Sequence, residues 1–120
     1  MNIVSTDVFT QAERIDWQSV GDGVRRKILS YEPQMMMVYV EFKRGSIGPM
    51  HRHPHTQMTY IASGAFEVSI DGKKQVLKGG DCFYIPSDLD HGVVALEDST
   101  LVDVFTPVRE DFLPAEAARP

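Results

Sequence analysis

Residues Gly45 to Gly64 read G-S-I-G-P-M-H-R-H-P-H-T-Q-M-T-Y-I-A-S-G and hold three of the chain's four histidines; the fourth is His91. His51 and His53 are two apart, so on an extended strand their imidazoles leave the same face and converge on one point. Neutral imidazole is the commonest protein ligand for a divalent transition metal. Pro54 interrupts the strand before Gln57, which lets the chain turn and present a side-chain oxygen to the same point. His91 would close the set. A solvated turn with ordinary hydrogen-bonded histidines is the other account of such a cluster, and clustering alone does not choose between them.

The whole chain narrows the field. At 120 residues it makes one domain, able to bury about two thirds of its unfolded surface without a staple. The single Cys82 cannot form an internal disulfide, which suits a reducing compartment. No apolar run approaches a membrane span, and M-N-I-V-S-T-D lacks the basic-then-apolar order of a secretory signal. A cytoplasmic protein without a membrane partner is therefore expected. A net charge of -5 with both signs interspersed argues against a nucleic-acid surface. Arg25, Arg26 and Lys27 form the basic run, and three such residues fit an exposed stretch of strand better than a phosphate site.

Residues 1–22 are expected to form an N-terminal arm, with Thr10 and Glu13 as a weak capping box and Trp17 and Val20 covering the mouth or edge of the domain. Short strands are expected over 24–30, 35–42, 58–62, 66–70, 75–77, 82–85, 91–96 and 100–105. Asp71-Gly72 is the strongest hairpin signal among the turns. Consecutive methionines at 35–37 fit adaptable core filler better than a soft-metal site. Closely spaced turns, no convincing long helix and no repeat point to an all-β antiparallel barrel or sandwich over 23–113. The alanine- and proline-rich tail 114–120 is expected to fray.

On the last strand Leu101, Asp103 and Phe105 share one face and Val102 and Val104 the other. Both faces are apolar, so Asp103 is enclosed whichever way the strand is turned. A buried carboxylate is costly unless it pairs or works, and either role is open. Arg109 can grip a carboxylate with two parallel hydrogen bonds or pair with Glu110 or Asp111.

The spacing Gly45, five residues, His51, one, His53, three, Gln57, six, Gly64 resembles the first signature of the cupin superfamily, with glutamine where the general pattern has glutamate. Gly80, five residues, Pro86, then His91 resembles the second; Asp88 replaces its glycine and Ala95 its asparagine. The resemblance implies a single-domain cupin, a double-stranded β-helix or jelly-roll barrel. The strings G-V-R-R-K-I-L at 23–29, H-R-H-P-H-T-Q at 51–57, H-G-V-V-A-L-E-D at 91–98 and D-V-F-T-P-V-R-E-D-F-L at 103–113 are similar to the small pectin-degradation cupins. Proteins of that branch linearise 4,5-unsaturated monouronates, and there glutamine is the usual fourth ligand.

That narrower resemblance implies one divalent metal held by His51, His53, Gln57 and His91, and imidazole nitrogen with amide oxygen suits nickel, zinc, iron, cobalt or manganese. It also implies catalytic or substrate roles for Asp103, Phe105 and Arg109, and a homodimer is the expected assembly. His55, in the loop opened by Pro54, supports a ligand or faces substrate. The expected small-molecule partner is an unsaturated uronate, converted to 5-keto-4-deoxyuronate by ring opening and enol–keto tautomerisation. A metal-dependent dioxygenase, a sugar-acid isomerase and a non-catalytic sugar-binding module are alternatives on the same barrel.

Overall fold

A computed structural model describes residues 2–114 and 118–119. In chain order the strands are β1 (Asn2–Ile3), β2 (Gln18–Gly21), β3 (Val24–Glu32), β4 (Met35–Phe42), β5 (Ile47–His51) and β6 (Thr56–Ser63). They continue as β7 (Ala65–Ile70), β8 (Lys73–Lys78), β9 (Cys82–Ile85), β10 (His91–Ala95), β11 (Ser99–Thr106) and β12 (Ala118–Arg119). All pairings are antiparallel. A six-stranded sheet runs β2-β3-β4-β11-β6-β9, and a four-stranded sheet runs β5-β10-β7-β8. Among the described residues, helix is limited to 3-10 turns at Ala12–Arg14 and Glu110–Phe112, and no helix is long and apolar enough to cross a membrane.

Strand period explains which residues meet between the sheets. On β4, Met36, Val38, Val40 and Phe42 are buried, whereas Met35 and Met37 stay exposed. Gln57, Thr59 and Ile61 of β6, Leu101 and Phe105 of β11, and Phe66 and Val68 of β7 are buried as well. Phe42 and Phe66 cross the gap edge to face, with ring centres 5.1 Å apart. The two sheets thus close on one apolar core, as the all-β barrel expectation required.

Turn chemistry fixes the register. Asp71 and Gly72, at φ 50° and 78°, form the two-residue turn between β7 and β8 with both central residues left-handed. Gly64 sits at φ 83° between β6 and β7, where a Cβ would run into the Ser99 side chain, so a side chain there is excluded twice over.

Several expectations change. No capping box forms: the turn at Ala12–Arg14 begins at Gln11, with no side-chain cap. The arm expected over 1–22 contributes β2 to the larger sheet, because Gln18 and Ser19 pair with Arg26 and Arg25. Of the three methionines, Met36 alone is core, since alternation turns its neighbours outward. Within the tail expected to fray, Ala118–Arg119 pairs with Asn2–Ile3; residues 115–117 and 120 lie outside the described residues.

Phe66→Ala removes the ring that meets Phe42 from a fully buried position and should destabilise the protein by roughly 3–5 kcal/mol in equilibrium urea unfolding. A loss below about 1 kcal/mol would show that the sheets are not joined through this contact.

Candidate metal centre

The histidines reach one point from different elements. His51 ends β5 and His91 begins β10, and the two are direct cross-strand partners in the four-stranded sheet, with ring centres 4.2 Å apart. His53 lies two residues past the end of β5, so a bend in the chain, not one continuous strand face, brings its ring within 4.8 Å of His91 and 5.5 Å of His51. The donor atoms of these three residues all lie within 4.8 Å of one another, an arrangement able to hold a metal ion. Arg52, between two of them, pairs with Asp90 at 2.8 Å, and the backbone N–H of Asp88 donates to the carbonyl of His53 at 2.8 Å. Both contacts tie the first histidine segment to the one that carries His91.

Hydrogen bonding decides which ring nitrogen is free. Nδ1 of His51, His53 and His91 lies 2.8, 3.0 and 2.9 Å from the carbonyl oxygens of Pro49, His55 and Leu89. A carbonyl can only accept, so each Nδ1 carries the proton and each Nε2 keeps its lone pair. His91 Nε2 is buried with no partner.

Gln57, on β6 of the opposite sheet, is fixed just as firmly. Its Nε2 donates to Thr59 Oγ1 at 2.9 Å and to Asp103 Oδ1 at 3.0 Å, while the Thr59 hydroxyl donates to the same Oδ1 at 2.6 Å. The amide oxygen therefore points the other way, 3.0 Å from His53 Nε2. With the tautomer assigned above, that contact sets two acceptors face to face. A shared cation reconciles them, and so the donor set fits a metal.

Charge around this point is regulated by burial. Burial pushes the His91 imidazolium down to about 4 and lowers that of His53, with the Arg109 charge adding to the effect on His53. The lone pair of His91 therefore survives well into acid. Asp103 is shifted the other way: burial raises its carboxyl to about 6, against the hydrogen bonds from Thr59 and Gln57. Cross-strand register explains its place, since Asp103 lies opposite Val38 on β4 and Thr59 on β6.

Beside the histidines is a cavity of about 240 Å³ lined on its polar side by Arg26, His51, Gln57, His91, Asp103 and Arg109. Val38, Val40, Phe83 and Phe105 are among its apolar walls. Phe105 is buried, edge-on to His53 and Phe112 at 5.8 and 5.6 Å. Arg109 is also buried and grips Asp111 through Nε and Nη2 at 3.0 and 2.7 Å. His55 does not line the cavity; its ring stands edge-on to His53 at 5.5 Å, and its Nδ1 is buried without a partner.

Two members of the site escape the motif reading. Thr59 is a plain strand residue whose hydroxyl sets the Gln57 amide. Arg26 lies in the basic run read as exposed strand. Alternation along β3 carried the missed signal: Val24 and Arg26 both line the cavity, while Arg25 pairs with Glu41 at 2.8 Å and stacks on Trp17.

A family model described as a cupin domain matches residues 38–105. The chain is 48% identical over 99 residues to the pectin degradation protein KdgF of Dickeya dadantii (strain 3937), covering 81% of this chain and 90% of that protein. Among solved structures, KdgF from a Halomonas species superposes with a TM-score of 0.86 at 44% identity, covering 90% of this chain and all of that one. An RmlC-like cupin from Shewanella frigidimarina NCIMB 400 gives a TM-score of 0.88 at 36% identity, over 91% and 98% of the two chains.

The raised carboxyl of Asp103 gives a signed test. Its folded form holds a proton more tightly than the unfolded chain, so burying the charge costs stability that is absent below the ordinary carboxyl value of 3.8 and fully expressed above about 6. In metal-free protein, the stability of Asp103→Asn relative to the parent should rise as pH increases from 4 to 7. A difference that is flat with pH would place the carboxylate in a solvated setting.

Proposed function

The chain belongs to the cupin domain family, in its branch of small pectin-degradation cupins, and from that premise we propose that it converts 4,5-unsaturated monouronates to linear 5-keto-4-deoxyuronate. The observation that carries the proposal is the joining of three elements in one cavity: a histidine cluster, a carboxyl poised near neutrality and buried guanidinium charge. At about 240 Å³ the cavity falls below the roughly 300–1,000 Å³ of drug-sized sites, which suits one sugar ring and not a polymer chain.

In such a substrate the C4=C5 bond is conjugated with the C6 carboxylate. Ring opening breaks the bond between C1 and the ring oxygen; the C1 hydroxyl loses its proton as the aldehyde forms, and the released oxygen on C5 gains one as an enol. Tautomerisation then adds a proton at C4 and removes the enol proton, so substrate and product are isomers. Asp103 serves as the proton carrier. Both of its hydrogen bonds from Thr59 and Gln57 fall on Oδ1, which leaves Oδ2 available to the substrate. Arg109 holds the substrate carboxylate with the part of its guanidinium that Asp111 leaves free, and Phe105 packs on the sugar ring and excludes water.

His51, His53, Gln57 and His91 hold one divalent ion, nickel, zinc, iron, cobalt or manganese. Bound there, it supplies Lewis-acid stabilisation of negative charge on substrate oxygen, undiminished because all four ligands are neutral. His55 supports His53 from behind the cavity. The protein acts in the cytoplasm as a homodimer. Support for the dimer comes from the outer face of the six-stranded sheet, not from a barrel edge. Register sets Met37, Val104, Met58 and Tyr84 in one row across β4, β11, β6 and β9, and Met37, Met58 and Tyr84 are 42%, 61% and 54% exposed.

Loss of the conjugated double bond's ultraviolet absorbance in a pectate lyase digest, corrected for spontaneous opening, tests the reaction. Chelator and His91→Ala should abolish the enzymatic part; Asp103→Ala should bind metal yet lose turnover by about 10²-fold or more. Equal rates in air and in anaerobic buffer are expected, and stoichiometric oxygen uptake would transfer the assignment to a dioxygenase. Light scattering after gel filtration should give twice the chain mass, falling to the monomer in Met58→Asp.

A further inference from the structure

Two guanidinium groups share the cavity, and they are differently engaged. Arg109 already holds a carboxylate: its Nε and Nη2 close on both oxygens of Asp111. Arg26 makes no ion pair within 4.0 Å among the described residues, and its hydrogen bond, from Nε to Gln18 Oε1 at 3.0 Å, is to a neutral acceptor. Its guanidinium carbon lies 3.8 Å from the centre of the Phe112 ring, and that of Arg109 lies 4.2 Å from the same centre. Stacking on Phe112 holds the plane of Arg26 without occupying its terminal N–H groups, so they stay free for an in-plane partner. Asp103 and Asp111 are near enough to favour the Arg26 cation, but burial and the Arg109 charge oppose it more strongly.

Half-buried positive charge beside a second guanidinium is unfavourable until an anion enters. We infer that Arg26 is a second carboxylate-binding residue, which takes the uronate C6 carboxylate with its free Nη groups while Phe112 holds it flat. The inference rests on the uronate reading of the cavity and adds a residue that the metal and proton chemistry do not require. It makes the site selective for free acids over esters and neutral sugars, because Arg26 adds a guanidinium with no carboxylate of the described residues on it to the part of Arg109 that Asp111 leaves free.

The test compares Arg26→Gln and Arg26→Lys with the parent, all metal-loaded, on the unsaturated uronate from an exhaustive pectate lyase digest. Arg26→Gln should raise KM about 10- to 100-fold with kcat within roughly twofold, as for loss of a charge-assisted hydrogen bond made equally in ground and transition states. Arg26→Lys should recover part of the affinity. Unchanged KM in a folded, metal-loaded Arg26→Gln protein would reduce Arg26 to a clamp on Phe112 and overturn the inference, while leaving the reaction intact.

A second measurement needs no variant to fold and no turnover. In the parent, the Arg26 side-chain NMR signals should shift on adding D-galacturonate and stay in place with its methyl ester. Equal response to both, or to neither, also overturns the inference. A parent that leaves unsaturated uronate unconverted yet shows the acid-specific shift would sink the proposed reaction alone.

Discussion

Each of three imidazoles commits Nδ1 to a backbone carbonyl two residues away, and the rest of the centre follows from that constraint. A bond so local is set by the fold of its own segment, so the free lone pair is fixed before any ligand arrives. Thr59 and Asp103 impose the same kind of choice on Gln57 by occupying its amide nitrogen. The oxygen is then forced toward His53 Nε2, where two acceptors face each other. Four uncharged donors are thus assembled by hydrogen bonds that lie outside the donor set itself.

How much of this was written in the sequence depended on the range of the interaction. Motifs with their own local physics were legible. Asp71-Gly72 specifies its left-handed turn, and the motif spacing singled out His51, His53 and His91, whose donor atoms the fold brings within 4.8 Å of one another. Even the departure at Asp88 makes sense: the signature has glycine there, the residue sits at φ 63°, and aspartate tolerates that region better than most. Cross-strand partners were harder to see, because they depend on register. Thr59 meets Asp103 across the ladder between β6 and β11, though they are 44 residues apart in sequence. Arg26 was hidden for another reason: three basic residues in a row look like solvated strand until alternation is applied to them. Arg109 left both its options open, and the structure pairs its buried guanidinium with the exposed carboxylate of Asp111.

Electrostatics in the cavity is asymmetric. Burial drives His91 and His53 toward neutrality and Asp103 toward its acid form, so all three move toward lower charge in the same low-polarity setting. The guanidinium groups of Arg26 and Arg109 line the same cavity as Asp103, with their carbons 3.8 and 4.2 Å from the centre of the Phe112 ring. Polar groups able to neutralise an incoming anion are therefore already in place, and little reorganisation is needed when it enters.

The donors come from both halves of the barrel: His51 and His91 from the smaller sheet, Gln57 from the larger. An ion gripped across that seam binds the closed barrel and has no comparable site on the unfolded chain. It would therefore act as a rivet, adding about 4 kcal/mol of resistance to unfolding when free metal stands a thousandfold above its dissociation constant. If the proposed ion is held there, the persistence of the folded molecule would fall as the metal supply of its surroundings falls.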